Sequence, residues 1–193
     1  MILTKILNYY KKQNYPLEEV NICYLEGCNA IGVPNDDRLN WFNDRRIVFT
    51  PKEVLGNWSA TTEPSRFYTI NPMNRKGAAR IAFGYWRAWK VGIHGNSEPH
   101  EALVQVAPIS VHRDLNKDGI RPRDKIDTGL FGINQHHGYD MPIENIGKAS
   151  AGCLVGRTRE GHREFMRLVK QVKGYKENRS YLFGTTIIDA TKL

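Results

Sequence analysis

The chain has 193 residues, 40% of them hydrophobic and 25% charged, and carries a formal net charge of +8. That length buries a single sizeable core, and no run approaches the roughly twenty apolar residues of a bilayer span, so one globular domain without a membrane span is expected. Three cysteines, Cys23, Cys28 and Cys153, are too few and odd in number for a disulfide framework. The positive charge favours polyanionic partners, but the longest basic cluster, Arg121-Pro122-Arg123-Asp124-Lys125, is broken by Asp and Pro, and no specific nucleic-acid partner is expected.

In chain order, residues 3–12 read as a short helix and residues 20–25 as a strand closed by Glu26-Gly27. Residues 34–42 read as a loop or short helix and residues 46–49 as the next strand. Further strands are expected at 66–70, 88–93, 102–106, 109–112, 131–135, 152–155 and 181–188. Between Arg159 and Val172 the apolar positions Phe165, Leu168, Val169 and Val172 recur at helical spacing, and Gly174 ends the run. Phe165, Met166, Leu168 and Val169 form its core face, Arg163, Arg167 and Lys170 its solvated face, and His162 is expected to be exposed. The pattern is mainly β with one main helix near the C-terminus: a single domain over 1–193, with 1–45 as an N-terminal extension.

Chemistry concentrates in His136-His137-Gly138 and the following Ile146-Gly147-Lys148-Ala149-Ser150-Ala151-Gly152-Cys153. A free thiol has a pKa of about 8.5 and needs an imidazole or electropositive pocket to become a nucleophile near neutral pH. His137 precedes Cys153 by 16 positions, which suits a histidine ending one strand and a cysteine entering its neighbour. Gly152 allows a close turn, and the amides of Gly152 and Cys153 are candidates to face an oxyanion. His137 ranks first as base, His136 second, and His94, in the strand-like Trp89-Lys90-Val91-Gly92-Ile93-His94-Gly95, third.

His-Gly, Ile-Gly and Ser-x-Gly-Cys at this separation resemble the L,D-transpeptidase (YkuD-like) catalytic domain of peptidoglycan enzymes. The resemblance is carried by residues 129–157, with Ala60-Thr61-Thr62-Glu63-Pro64-Ser65-Arg66-Phe67 loosely similar to the family's Thr-Pro-x-Gly-x-Phe segment. It implies a β-sandwich and attack by Cys153 on a stem-peptide carbonyl, with His137 as base, Ser150 as an orienting hydroxyl, Gly152 in the oxyanion turn and no cofactor. Ala151 stands where the family has His and Val155 where it has Arg, with Arg157 the nearest candidate to bind a substrate carboxylate. Transfer to an amine and hydrolysis by water differ only in the acceptor. A peptidoglycan peptidase of endolysin type is therefore the closest alternative, and a catalytically inactive wall-binding or phage structural module is the rival from another class. The polar start after Leu7 does not read as a signal peptide, which suits a phage or prophage-type enzyme acting at the cell wall or periplasm.

Asp114, Asn116 and Asp118 before Gly119 alternate like the first half of a calcium loop, with Lys125 in place of its closing Glu, and a plain turn uses the same residues. Cys23 and Cys28 have the choice of pairing or holding a metal. His94, His100 and Glu101 lack the helical frame of a zinc site. The sequence leaves the oligomeric state open.

Overall fold

The computed structural model describes residues 1–193. Its eleven strands form one closed barrel and one small sheet. The eight barrel staves follow the order β1 (Asn21–Glu26), β11 (Phe183–Asp189), β5 (Gly84–His94), β6 (His100–Gln105), β9 (Gln135–His137), β10 (Leu154–Gly156), β3 (Val54–Thr61) and β2 (Asp44–Phe49), with β2 returning to β1. The small sheet holds β4 (Ala78–Ile81), β7 (Ile109–Asp114) and β8 (Lys125–Gly129). The mainly β expectation is met, but the principal sheet closes on itself where two packed layers of a sandwich were expected. Closure removes the open edges that a sandwich retains.

Within residues 1–45, expected as an extension, β1 and the start of β2 are barrel staves: β1 pairs in parallel with β11 and antiparallel with β2. Strand alternation explains why β1 is buried on both faces. Ile22 and Tyr24 join the large core cluster, while Cys23 and Leu25 meet Ile6 and Tyr10 of the N-terminal helix α1 (Ile2–Gln13). The helix α3 (Arg159–Val169) brings Phe165, Met166 and Val169 to the large core. Residues 66–70, rich in the aromatic and β-branched types that favour strands, instead form the short helix α2 (Arg66–Ile70), whose first turn Ser65 caps through Tyr68 N. A second short helix, α4 (Lys173–Glu177), follows α3. β3, β4 and β8 were not anticipated; Gly56 and Asn57 interrupt the apolar alternation of β3.

One buried cation organises the end of the barrel where β9 and β10 lie. Arg46 of β2 is fully buried, with no carboxylate partner. Its Nε donates to Tyr24 Oη at 2.6 Å, one terminal nitrogen to the carbonyls of His136 (2.9 Å) and Leu154 (3.1 Å), and the other to His162 Nδ1 at 3.1 Å. Its guanidinium also lies 4.4 Å from the Phe165 ring centre. Gly156 makes room for it, since a Cβ there would come within 2.5 Å of a guanidinium nitrogen.

Replacing Arg46 by Met removes all of these donors at once. Each buried polar group left unpaired costs about 1–3 kcal/mol. Arg46→Met is therefore expected to lower unfolding free energy by roughly 3 kcal/mol or more in urea titrations. A loss below about 1 kcal/mol would show that the guanidinium does not hold these strands together.

Candidate active site

Cys153 immediately precedes β10, which runs parallel beside β9 with Leu154 opposite Gln135 and Val155 opposite His136. The residues just before the two strands therefore meet. Asn134 N–H donates to Cys153 Sγ at 3.5 Å, Leu154 N–H donates to the Asn134 carbonyl at 3.0 Å, and the thiol donates to the Gly132 carbonyl at 3.6 Å. Ser150 fixes the turn, donating to the Cys153 carbonyl at 2.9 Å and accepting from Gly152 N–H at 3.1 Å. Gly152 has φ +125°, and a Cβ there would approach the Ala79 carbonyl oxygen to 2.4 Å. Only glycine fits this turn against β4. Of the two amides expected to face an oxyanion, Gly152 is already engaged by Ser150, while Cys153 N–H makes no hydrogen bond.

A cavity of about 510 Å³ opens on the thiol, lined among others by His94, His136, Tyr68, Phe131, Arg113 and Lys148. His136 Nδ1 donates to the His137 carbonyl at 2.8 Å, because a carbonyl only accepts; Nε2 therefore carries the lone pair in the neutral ring. His94 stacks on His136 with ring centres 3.9 Å apart, and its Nδ1 lies 3.0 Å from Asn134 Nδ2. Burial pushes the Cys153 thiol up to about 11, against a smaller opposing effect from Asn134 N–H. Burial, with His94 alongside, holds His136 well below the ordinary imidazole range. The resting pair is thus a neutral thiol and a neutral imidazole.

His137, ranked first from spacing, lines a different cavity of about 530 Å³ with Glu98, His100 and His162. Its Nδ1 accepts from Tyr139 N–H at 3.3 Å, and its Nε2 lies 3.7 Å from a Glu98 oxygen. Neighbouring residues on a strand point to opposite faces, and the register turns His136 toward the thiol. Arg157 donates to the Met141 carbonyl at 3.0 Å and is not among the lining of the thiol cavity, where Lys148 supplies positive charge and Arg113 is paired with Asp127 at 3.1 Å. Asn134, which touches both the thiol and His94, was missed, because it stands inside the expected strand 131–135 and a lone Asn there carries no chemical signature; the observed strand starts only at Gln135.

His162 is buried, contrary to the expected exposure: Nδ1 accepts from Arg46, and Nε2 donates to the Glu101 carbonyl at 2.8 Å. Asp114 caps its own loop, accepting from Asp118 N–H at 3.1 Å and Gly119 N–H at 2.9 Å. No group of three or more His, Cys, Asp or Glu side chains converges as a metal site, and all three cysteines are free. No protein-family model, curated protein or solved structure matches the chain.

Burial and the nearby Arg46 charge hold His162 down to about 2 from an ordinary 6.5. As pH falls below 6.5 the unfolded chain takes up a proton that the folded state refuses. This contribution to stability is intact above pH 6.5 and is lost as pH falls toward 2. His162→Gln, which keeps a donor and an acceptor, is therefore expected to lose less stability than wild type between pH 7 and about 4 in urea titrations. Buried Asp44 and Glu63, whose carboxyls shift upward, are common to both proteins and cancel. Parallel pH profiles for the two proteins would refute the assignment.

Proposed function

We propose that the protein is a cysteine acyltransferase of the L,D-transpeptidase type acting on peptidoglycan stem peptides at the cell wall or periplasm. The observation that carries this reading is the free thiol of Cys153 on a glycine turn, opening on the same cavity as an imidazole whose Nε2 is unprotonated. His136, rather than His137, is the proposed base. Its Nε2 takes the thiol proton as sulfur attacks the peptide carbonyl, the free Cys153 N–H meets the developing oxyanion, and the proton passes to the leaving amine as the C–N bond breaks. The thioester then passes its acyl group to an amine, or to water in a peptidase. Lys148, exposed and with no carboxylate partner, takes the role of substrate-carboxylate contact first considered for Arg157.

A wall-binding module with an unreactive thiol is the second reading, favoured by the upward shift of Cys153 and by the absence of an imidazole hydrogen bond to its sulfur. Mass analysis of purified muropeptides incubated with the protein separates the two. The enzyme reading expects new cross-linked or trimmed products that vanish in Cys153→Ala; unchanged muropeptides with retention on sedimented walls would support the binding module instead. His136→Ala should cost on the order of a hundredfold or more in rate, and His137→Ala much less. The reverse order would restore His137 as base.

The thiol's shift makes a separate prediction for the free protein. Iodoacetamide labelling of Cys153, followed by peptide mass spectrometry, is expected to keep accelerating with pH up to about 11. A plateau already reached near neutral pH would show a preformed thiolate and contradict the resting state described.

A further inference from the structure

The stacked histidines of the thiol cavity are held in opposite tautomers. Asn134 Oδ1 accepts the Gln105 backbone N–H at 2.9 Å, which fixes the amide so that Nδ2 is the group facing His94 Nδ1 at 3.0 Å. A donor on that side makes His94 Nδ1 the acceptor, and the proton of the neutral ring lies on Nε2. His136 is the converse, with its proton on Nδ1 toward the His137 carbonyl. The rings lie nearly parallel, at 15°, and both line the cavity that holds Cys153. Asn134 is anchored at all of its other polar groups: N–H to the thiol, carbonyl from Leu154 N–H, and Oδ1 from β6. It has no freedom to reverse its amide without orphaning the Gln105 N–H.

We propose that Asn134 is a positioning residue that sets the tautomer of His94, so that His94 presents Nε2–H as a hydrogen-bond donor to the acyl oxygen of the substrate while His136 serves as base. This rests on the acyl-transfer reading and deepens it. The division of labour follows from elementary chemistry, since a base needs a lone pair and a developing oxyanion needs a donor. It also supplies a donor at a site where Gly152 N–H is already occupied by Ser150. His94 lies half-buried at the end of β5, 59 positions before Cys153 in the chain, and lines the cavity stacked on His136.

The direct test is nitrogen-15 NMR of the full chain labelled at histidine, at neutral pH. The expected spectrum has His94 protonated at Nε2 and His136 at Nδ1; finding His94 protonated at Nδ1 overturns the proposal without any variant. Asn134→Asp places an acceptor against His94 Nδ1 and should move its proton there. With purified disaccharide-tetrapeptide as substrate, kcat should then fall by about 10²–10³-fold with KM little changed, the loss typical of one oxyanion donor. An Asn134→Asp protein that moves the tautomer and keeps wild-type kcat refutes the role of His94. If Asn134→Asp does not fold, His94→Phe, which keeps a ring for stacking but has no donor, gives the same kinetic comparison. Failure of the acyl-transfer reading is distinguishable, because Cys153→Ala would then be as active as wild type whatever the tautomer of His94.

Discussion

Arg46 brings a full charge into the barrel where no carboxylate meets it, and the fold disperses that charge over a phenol, two backbone carbonyls, an imidazole and an aromatic face. A buried charge is tolerated only when its donors are satisfied. Two of the acceptors here are the carbonyls of His136 and Leu154, one on the proposed base and the other adjacent to the thiol. The same guanidinium therefore fixes the spacing of β9 and β10, and with it the meeting of Asn134 and Cys153. β9 and β10 have only three residues each and make few ladder bonds of their own. Their alignment depends on a side chain from β2.

A second buried network secures the other wall of the cavity. Arg80 of β4 pairs with Glu26 of β1 at 3.0 Å and Glu63 at 3.2 Å, and Arg121 binds the same Glu26. Burial would raise the Glu26 carboxyl, but the Arg121 and Arg80 guanidiniums overcome it and hold the group down to about 2. Asp44, beside this network, is pushed up to about 8 by burial and by Glu26 and Asp37. The small sheet is thus clamped to the barrel by charge, and through Ala79 it backs the Gly152 turn. Two sheets meet at Cys153, and neither alone would shape its surroundings.

The local motif and its partners were legible to different degrees. Ser150, Gly152 and Cys153 stand within four residues, and a turn of that kind is specified locally. The helix at α3 was legible because its apolar face repeats with the helical period, as was the mainly β character. The choice between His136 and His137 was not, because a shift of one residue in register exchanges the faces of a strand and the spacing to Cys153 differs by only one position. Barrel closure was equally hidden, since the pairing of β1 with β11 joins segments some 160 residues apart and leaves no mark on either alone. Asn134 and Arg46 act through non-local hydrogen bonds, and nothing in their immediate neighbours announces a role. His162 looked solvated because its helix neighbours are charged, yet its own direction is inward toward Arg46.

The parallel pairing of β1 with β11 also bears on how the molecule comes to exist during synthesis. β11 lies some 160 residues after β1 in the chain, so the barrel stays open until β11 has been made. Until then β1 has its antiparallel neighbour β2 on one side and an unsatisfied edge on the other, the kind of edge that invites wrong partners. The helix α1 precedes β1 and packs on Cys23 and Leu25, the face of β1 that does not enter the barrel. A nascent N-terminal hairpin already covered on that face carries less exposed apolar surface while it waits for its last stave.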